Sequence, residues 1–205
     1  MAPLPLAIGV ASRPHPAETV SGDAYAVHWT GDVCRITVID GLGHGPEAAA
    51  AAARAVATLD AHPSLGPAEA LQRCHTALAG TRGAAISIAR LDLGRGELMY
   101  AGIGNVEAHL WHGSRHEHMI VYRGIVGSAM RTLRTFTSTL DDAWIFLMHS
   151  DGISARADVY ALDLPDPWEP DALARSILER YGRLHDDALA VVAQPRPSTF
   201  TAAAG

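Results

Sequence analysis

Four short hydrophobic runs between Ala84 and Val121 constrain the fold more than any other part of the chain. Their sequences are AAISIARL, ELMYAGI, VEAHLW and HMIVY. The first two are separated only by the segment from Asp92 to Gly96, which is typical of a hairpin connection. Strands joined by short turns pair antiparallel, whereas parallel pairing needs a long crossover. The segment therefore predicts a meander, in a sheet that is at least partly antiparallel.

Helices and further strands surround this meander. The segment VCRITVID alternates apolar residues with Arg35 and Thr37 and predicts a half-buried strand. Gly-Pro pairs, with proline suited to the first helical position, predict one helix from Pro46 to about Asp60 and a second from Pro67. Further expected elements are two strand-like runs before residue 30, the strands RTFTSTL and WIFLMHSD, a helix over 171–181 and a last strand DALAVVAQ. This order predicts α+β layers rather than a regular βαβ repeat.

The length of the chain, 205 residues, suits one sizeable hydrophobic core and is short for two. The hydrophobic fraction of 48% and the charged fraction of 19% are those of an ordinary globular protein. We therefore expect a single domain over residues 1–194 and a disordered C-terminal tail over residues 195–205.

The charged residues exclude several classes of function. All 16 basic residues are arginine, and the formal net charge is −6. Without lysine there is no Walker A phosphate clamp and no Schiff-base chemistry. The negative charge, with no basic patch, disfavours nucleic acid and anionic membranes as partners. The first residues lack a basic n-region, and no apolar stretch approaches the roughly 18 residues of a membrane span, so we expect a cytoplasmic protein. The sequence does not indicate an oligomeric state.

Two hydrophobic strands end in the same dipeptide, aspartate followed by glycine, within TVIDG and MHSDG. A strand end holds its last residue rigidly, and glycine allows a sharp turn and the approach of a hard cation to a carbonyl oxygen. Two more acidic residues stand beside other predicted strand ends. The four positions are Asp23, Asp40, Asp151 and Asp186. Each aspartate alone is better explained as a turn or cap residue, but the set indicates a candidate metal site.

Four segments in this order, GDAY, VIDGLGHG, HSDGI and DDALAVVAQ, resemble the motifs of the PPM protein phosphatases, and in particular their bacterial SpoIIE branch. The resemblance covers the chain from about Ser21 to Gln194 and includes RGA at 82–84 and GNV at 104–106. It implies an α-β-β-α sandwich of two mainly antiparallel sheets flanked by helices. It also implies a metal-dependent protein serine/threonine phosphatase.

The resemblance further implies the roles of the acidic residues. Asp40 would bridge two divalent cations, and the carbonyl of Gly41 would bind one of them. Asp151 and Asp186 would bind the other cation, and Asp23 would bind or orient metal-held water. Oxygen ligands favour Mn²⁺ or Mg²⁺ over zinc. Two cations about 3.5 to 4 Å apart would acidify a shared water for attack on phosphoserine or phosphothreonine.

The substrate implied by the resemblance is a phosphorylated regulatory protein of the STAS or stressosome type, in a partner-switching stress pathway. Two alternatives stay open: a pseudo-phosphatase that binds a partner without turnover, and an enzyme acting on small phosphate esters. The presence of all four acidic residues argues against the pseudo-phosphatase, because binding alone does not need them.

The sequence departs from the family pattern at several places. Ala188 follows the final aspartate pair, where many members have Thr or Ser one residue on. Leu42 stands where animal members often place a histidine as acid for the leaving group, and His44 follows two residues later. His44 is therefore either that acid or an ordinary loop residue. The candidates for a phosphate-binding arginine are Arg13, Arg82 and Arg123.

A cluster of histidines in the segment HLWHGSRHEH raises the possibility of zinc. The cluster comprises His109, His112, His116 and His118. Their spacing matches no established ligand pattern, and the segment predicts a strand, an exposed hairpin and a second strand. The sequence therefore disfavours zinc at this place.

Overall fold

The computed structural model describes residues 6–130, 132–162 and 169–196. Its strands are β1 Leu6–Arg13, β2 Asp23–Thr30, β3 Val33–Gly41, β4 Ala84–Asp92, β5 Glu97–Ile103, β6 Glu107–His112, β7 Arg115–His118, β8 Phe136–Thr139, β9 Trp144–His149 and β10 Ala188–Pro195. Its helices are α1 Pro46–Asp60, α2 Pro67–Ala77 and α3 Pro170–Tyr181. Pro195 still belongs to β10, and the rest of the predicted tail after residue 196 lies outside the described residues. None of the helices in these ranges is long and apolar enough to cross a membrane.

The strands form two five-stranded sheets. The first sheet has the order β1-β10-β9-β6-β7, and the second has the order β2-β3-β4-β5-β8. All of the neighbouring strands pair antiparallel. The two sheets pack face to face, which confirms the predicted α+β sandwich.

Three hydrophobic clusters build the layers. The cluster between the sheets joins inward side chains such as Ile36 and Tyr100 of the second sheet to Phe146 and Val191 of the first. A second cluster packs α1 and α2 on the outer face of the second sheet. A third packs α3 on the outer face of the first sheet. Helices therefore cover both outer faces, and the layer order is α-β-β-α.

The predicted meander is divided between the two sheets, so its treatment as one continuous run was wrong. β5 pairs with β4 and β8 in the second sheet, whereas β6 pairs with β7 and β9 in the first. The chain crosses at Gly104, whose φ of 109° and close approach to Ala85 both require glycine. The fourth predicted strand, HMIVY, is also displaced, because β7 ends at His118 and Tyr122 forms only an isolated bridge to Ile103.

The prediction that β3 is half buried was also wrong, because helices cover its outer face. Arg35 lies on that face and is 1% exposed. Its guanidinium donates hydrogen bonds to the carbonyls of Leu59, at 2.8 Å, and His62, at 2.6 Å. The carbonyls at the end of a helix lack partners within the helix, so a buried cation there satisfies them and offsets the negative end of the dipole. An arginine that the alternating pattern places on the polar face of the strand thus caps the C-terminal end of α1.

Candidate active site

The four acidic positions singled out in the sequence stand at strand ends that meet at one end of the sandwich. Asp23 begins β2 and is the direct cross-strand partner of Asp40 near the end of β3. Asp151 follows β9 and Asp186 precedes β10, and these two strands are neighbours in the other sheet. A hydrogen bond of 2.5 Å from Ser150 Oγ to Asp23 Oδ2 joins the two groups across the sandwich. The fold therefore brings all four carboxyl groups together.

Burial and mutual repulsion raise the pKa values in this cluster. Burial, followed by the charges of Asp23, Asp151 and Asp186, raises the pKa of Asp40 to about 9. Burial also raises the pKa of Asp23 to about 7, with further contributions from neighbouring aspartates, although the bond from Ser150 acts in the opposite direction. The pKa of Asp186 is raised by burial and by the charge of Asp151. The cluster thus concentrates negative charge that needs protons or cations to balance it.

The glycine of each Asp-Gly pair is required by close packing. A Cβ on Gly41 would lie 2.3 Å from the carbonyl oxygen of Ala48, in the first turns of α1. A Cβ on Gly152 would lie 1.8 Å from the carbonyl oxygen of Asp187. Both distances are too short for any side chain. The two glycines therefore let α1 and the start of β10 approach the strand ends that carry Asp40 and Asp151.

Asp187 is a structural residue of the site, a role that the sequence analysis did not assign. Its side chain is 3% exposed and accepts hydrogen bonds from the backbone N–H groups of His15, at 2.8 Å, and Gly22, at 3.0 Å. It therefore holds the segment between β1 and β2 against the start of β10. The adjacent carboxyl group of Asp186 faces the acidic cluster instead. The Asp-Asp pair in the sequence does not indicate which aspartate joins the cluster and which one binds the backbone.

Two polar residues missed by the sequence analysis fix individual carboxyl oxygens. Asn105 Nδ2 donates to Asp151 Oδ2 at 2.6 Å. Ser150 Oγ, besides donating to Asp23, accepts a hydrogen bond from the backbone N–H of Leu189 at 3.0 Å. Asn105 stands in the GNV segment, and Ser150 in HSDGI, so both had a signal in the motifs. Neither residue type reveals from the sequence which carboxylate it contacts.

His44, the candidate acid, lies in the loop before α1, and its side chain is 51% exposed. Its Nδ1 bonds to Glu18 Oε1 at 2.7 Å, and its ring stacks on that of His15 at 4.3 Å between centroids. The contacts found for it within the described residues thus go to the segment between β1 and β2, not to an aspartate of the cluster. His44 is better explained by these loop contacts than by a proton transfer at the cluster.

The three candidate arginines differ in their surroundings. Arg13 donates to the carbonyl oxygen of Arg183 at 2.5 Å, next to the start of β10. Arg82 pairs with Glu47 at 2.5 Å, is 46% exposed and lies against Gly43 in the loop that follows Asp40. Arg123 is exposed. Of the three, Arg82 combines exposure with contact to the loop after Asp40.

Comparison with known proteins identifies a family. Residues 30–196 match the family model described as stage II sporulation protein E (SpoIIE). The phosphoserine phosphatase RsbX of Bacillus subtilis (strain 168) is 24% identical over 138 residues, which are 67% of this chain and 69% of RsbX.

Solved structures show the same architecture. A chain from "The bacterial stressosome: a modular system that has been adapted to control secondary messenger signaling" is 33% identical, with a TM-score of 0.85 over 92% of this chain and 98% of that one. RsbX in complex with magnesium superposes with a TM-score of 0.82 at 20% identity, over 93% of this chain and 95% of that one. The catalytic domain of the serine/threonine protein phosphatase PstP, in complex with two manganese ions, gives 0.70 at 16% identity, over 94% and 99%. The family model spans most of the sequence and the fold agrees throughout, so this chain belongs to the SpoIIE family of PPM-type serine/threonine phosphatases.

Proposed function

We propose that the chain is a metal-dependent phosphatase that hydrolyses phosphoserine or phosphothreonine on a regulatory partner protein. Its acidic cluster would hold two divalent cations, Mn²⁺ or Mg²⁺. Asp40 would bridge them, the carbonyl of Gly41 would bind one, and Asp151 with Asp186 would bind the other. Asp23 would bind or orient metal-held water. The observation that carries the proposal is the convergence of four carboxyl groups, in which the pKa of Asp40 reaches about 9.

The donor set fits hard divalent cations. Aspartate carboxylates and a backbone carbonyl supply oxygen only, which suits Mg²⁺ or Mn²⁺ better than zinc. Burial and, to a smaller extent, repulsion between the aspartates raise the pKa values of Asp23 and Asp40, and the repulsion becomes attraction once cations lie between the carboxylates. RsbX with magnesium and PstP with two manganese ions are similar folds that bind such ions.

Residues around the cluster would keep the ligands in place. Bound cations supply a water acidified toward neutral pH and neutralise the charge of the phosphoryl oxygens. Ser150 occupies Oδ2 of Asp23 and leaves Oδ1 for metal or for water. Asn105 likewise fixes Oδ2 of Asp151. Such outer contacts orient ligands and are typically worth about 10- to 100-fold in metal affinity or activity.

The substrate proposal rests on the relatives. RsbX is named a phosphoserine phosphatase, and the structure that is 33% identical concerns the bacterial stressosome. We infer a phosphorylated regulatory protein of the STAS or stressosome type, within a partner-switching pathway of the cytoplasm. The absence of lysine and the net charge of −6 give no support to a nucleic acid partner.

Phosphate release from a panel of phosphoproteins and small esters, with Mn²⁺, with Mg²⁺ and with chelator, tests the proposal. We expect turnover on a phosphoserine or phosphothreonine protein that needs added metal. Full activity in the metal-free chain would contradict the two-cation mechanism. Turnover of small esters alone would point to the small-ester alternative, and binding of a phosphoprotein without any turnover would point to a pseudo-phosphatase.

A further inference from the structure

A second cluster of metal-ligating side chains lies on the first sheet, on the face that carries α3. Glu107 and His109 are two residues apart on β6 and therefore share a face. His149 of β9 is the direct partner of Glu107, and His118 of β7 is the direct partner of His109. Leu147, the β9 partner of His109, belongs to the hydrophobic cluster under α3, which identifies the face. Pairing across three strands thus brings together four side chains whose spacing along the sequence did not suggest a metal site.

The distances within this cluster suit a tetrahedral metal ion. Glu107 Oε2 lies 3.3 Å from His118 Nε2 and 3.7 Å from His109 Nε2. One ligand atom from each of the three residues lies within 4.8 Å of the other two. Bonds of about 2.0 to 2.2 Å to zinc, in tetrahedral geometry, separate two ligand atoms by about 3.4 Å. The rings of His109 and His118 stack at 4.4 Å between centroids, so one of them must rotate before both lone pairs reach a common ion. His118, whose side chain is 52% exposed, has room to do so.

The cluster also contains buried polar atoms with no hydrogen-bond partner. His109 is 2% exposed, and neither its Nε2 nor Glu107 Oε2 has such a partner among the described residues. His149 is fully buried, and its Nε2 also has none. Buried polar atoms in folded proteins nearly always have a hydrogen-bond partner, so three without one in one place call for an explanation. A cation bound between Glu107 and His109 satisfies two of them at once.

A neutral imidazole has one nitrogen that carries hydrogen and one with a free lone pair. A hydrogen bond orients the buried ring of His109. Its Nδ1 bonds to His116 Nε2 at 3.1 Å. If Nδ1 carries the hydrogen in that bond, the lone pair is on Nε2, which lies 3.7 Å from Glu107 Oε2. Metal-binding histidines are commonly oriented by such a bond at the other ring nitrogen.

We propose that Glu107, His109 and His118 bind one divalent cation of the zinc class, at a site distinct from the aspartate cluster. Two imidazole nitrogens and one carboxylate oxygen match zinc rather than magnesium. Water completes the coordination. The ion ties the edge strand β7 to β6 near the point where Asn105 contacts Asp151. This site does not depend on the phosphatase function.

Zinc binding in the presence of millimolar Mg²⁺ tests the site, since magnesium would compete for the oxygen ligands of the aspartate cluster and much less for imidazole nitrogens. Calorimetry and elemental analysis after gel filtration measure affinity and stoichiometry, and the visible spectrum of the Co²⁺ form reports tetrahedral coordination. We expect one zinc per chain, and an affinity reduced at least about 10-fold in His118→Ala and in Glu107→Gln, since even outer-shell changes cost about that much. His118 has a side chain that is 52% exposed on a short edge strand, so its replacement should leave the fold intact.

Two controls separate this site from other binding. His62→Ala removes a histidine at the end of α1, on the opposite side of the sandwich, and should bind zinc like the wild type. Asp151→Asn alters the aspartate cluster and should also keep the zinc. The proposal is overturned if the wild type binds no zinc beside Mg²⁺, if His118→Ala and Glu107→Gln bind it unchanged, or if Asp151→Asn loses it.

Discussion

At the scale of single residues, neighbouring aspartates have separate roles because their carboxyl groups face different surroundings. Asp40 faces other carboxylates and is strongly disfavoured as an anion. Asp187 faces two backbone N–H groups that satisfy its charge. The first arrangement needs protons or cations to balance its charge, whereas the second is complete. Substitutions by asparagine, which keep the shape and remove the charge, therefore separate activity from stability.

Asp40→Asn should remove most of the phosphatase activity, because Asp40 is the proposed bridge between both cations. Asp187→Asn should retain more activity and lose stability, by about 1 to 3 kcal/mol, since an amide replaces a carboxylate that accepts two buried backbone bonds. Turnover and denaturant unfolding of both variants give the comparison. Equal losses of activity, with unchanged stability in Asp187→Asn, would reject these roles.

The raised pKa values predict how the stability of the metal-free protein depends on pH. The folded pKa values of Asp23, about 7, and Asp40, about 9, exceed their ordinary value of 3.8. The protonated forms are therefore favoured in the fold, and this stability is fully present below pH 3.8 and is lost as the pH rises through 7 and 9. Melting temperatures measured with chelator should fall from pH 5 to pH 9. Asp40→Asn should show a shallower fall, and an identical slope would contradict the burial of this carboxyl group.

At the scale of secondary-structure elements, the junction of β3 and α1 depends on backbone contact. Gly41 ends β3 directly against Ala48 of α1, with no room for a side chain. The sequence analysis explained this glycine by a sharp turn and the approach of a cation. The contact with Ala48 is by itself sufficient to require a glycine. The position of Asp40 therefore depends on how closely the helix and the strand approach.

Gly41→Ala should destabilise the protein by about 1 to 3 kcal/mol or more, because the new methyl group must displace α1. Gly94, in the hairpin between β4 and β5, is the matched control, since an added Cβ would meet its nearest atom at 3.7 Å. Gly94→Ala should stay within about 0.5 kcal/mol of the wild type. Urea unfolding of the two variants gives the test, and equal stabilities would mean that the junction is looser than the contacts indicate.

At the scale of the whole molecule, the sequence predicted the elements better than their pairing. Alternation and turn residues located most strands, and the Asp-Gly pairs located the cluster, because both signals are local. The crossing at Gly104 was missed, since a short turn does not specify whether the next strand joins the same sheet. The contacts of Ser150 with Asp23 and of Asn105 with Asp151 were missed for a related reason. They join residues that only the packing of two sheets brings together.

Recognition of the substrate should also depend on the surface of the whole molecule. The site lies at one end of a sandwich without a separate recognition domain in the described residues. Specificity must then come from surface contacts away from the phosphate, and binding energy from such contacts can raise kcat/KM. A folded phosphoprotein should therefore have a higher kcat/KM than its isolated phosphopeptide. Equal values for the two forms would indicate that only the local sequence is recognised.

The most direct test of the account is the effect of Mn²⁺ on the thermal stability of the wild type and of Asp151→Asn. Carboxylates about 5 Å apart, at an effective dielectric near 20, repel by about 3 kcal/mol per pair before screening and protonation. With chelator, Asp151→Asn should therefore be at least as stable as the wild type, although inactive. Mn²⁺ at about a hundredfold excess over its dissociation constant should stabilise the wild type by about 2.7 kcal/mol and the variant much less. A wild type whose melting temperature does not respond to Mn²⁺, together with a chelated Asp151→Asn that is strongly destabilised, would show that Asp151 is a turn residue and that the aspartate cluster is not a metal site.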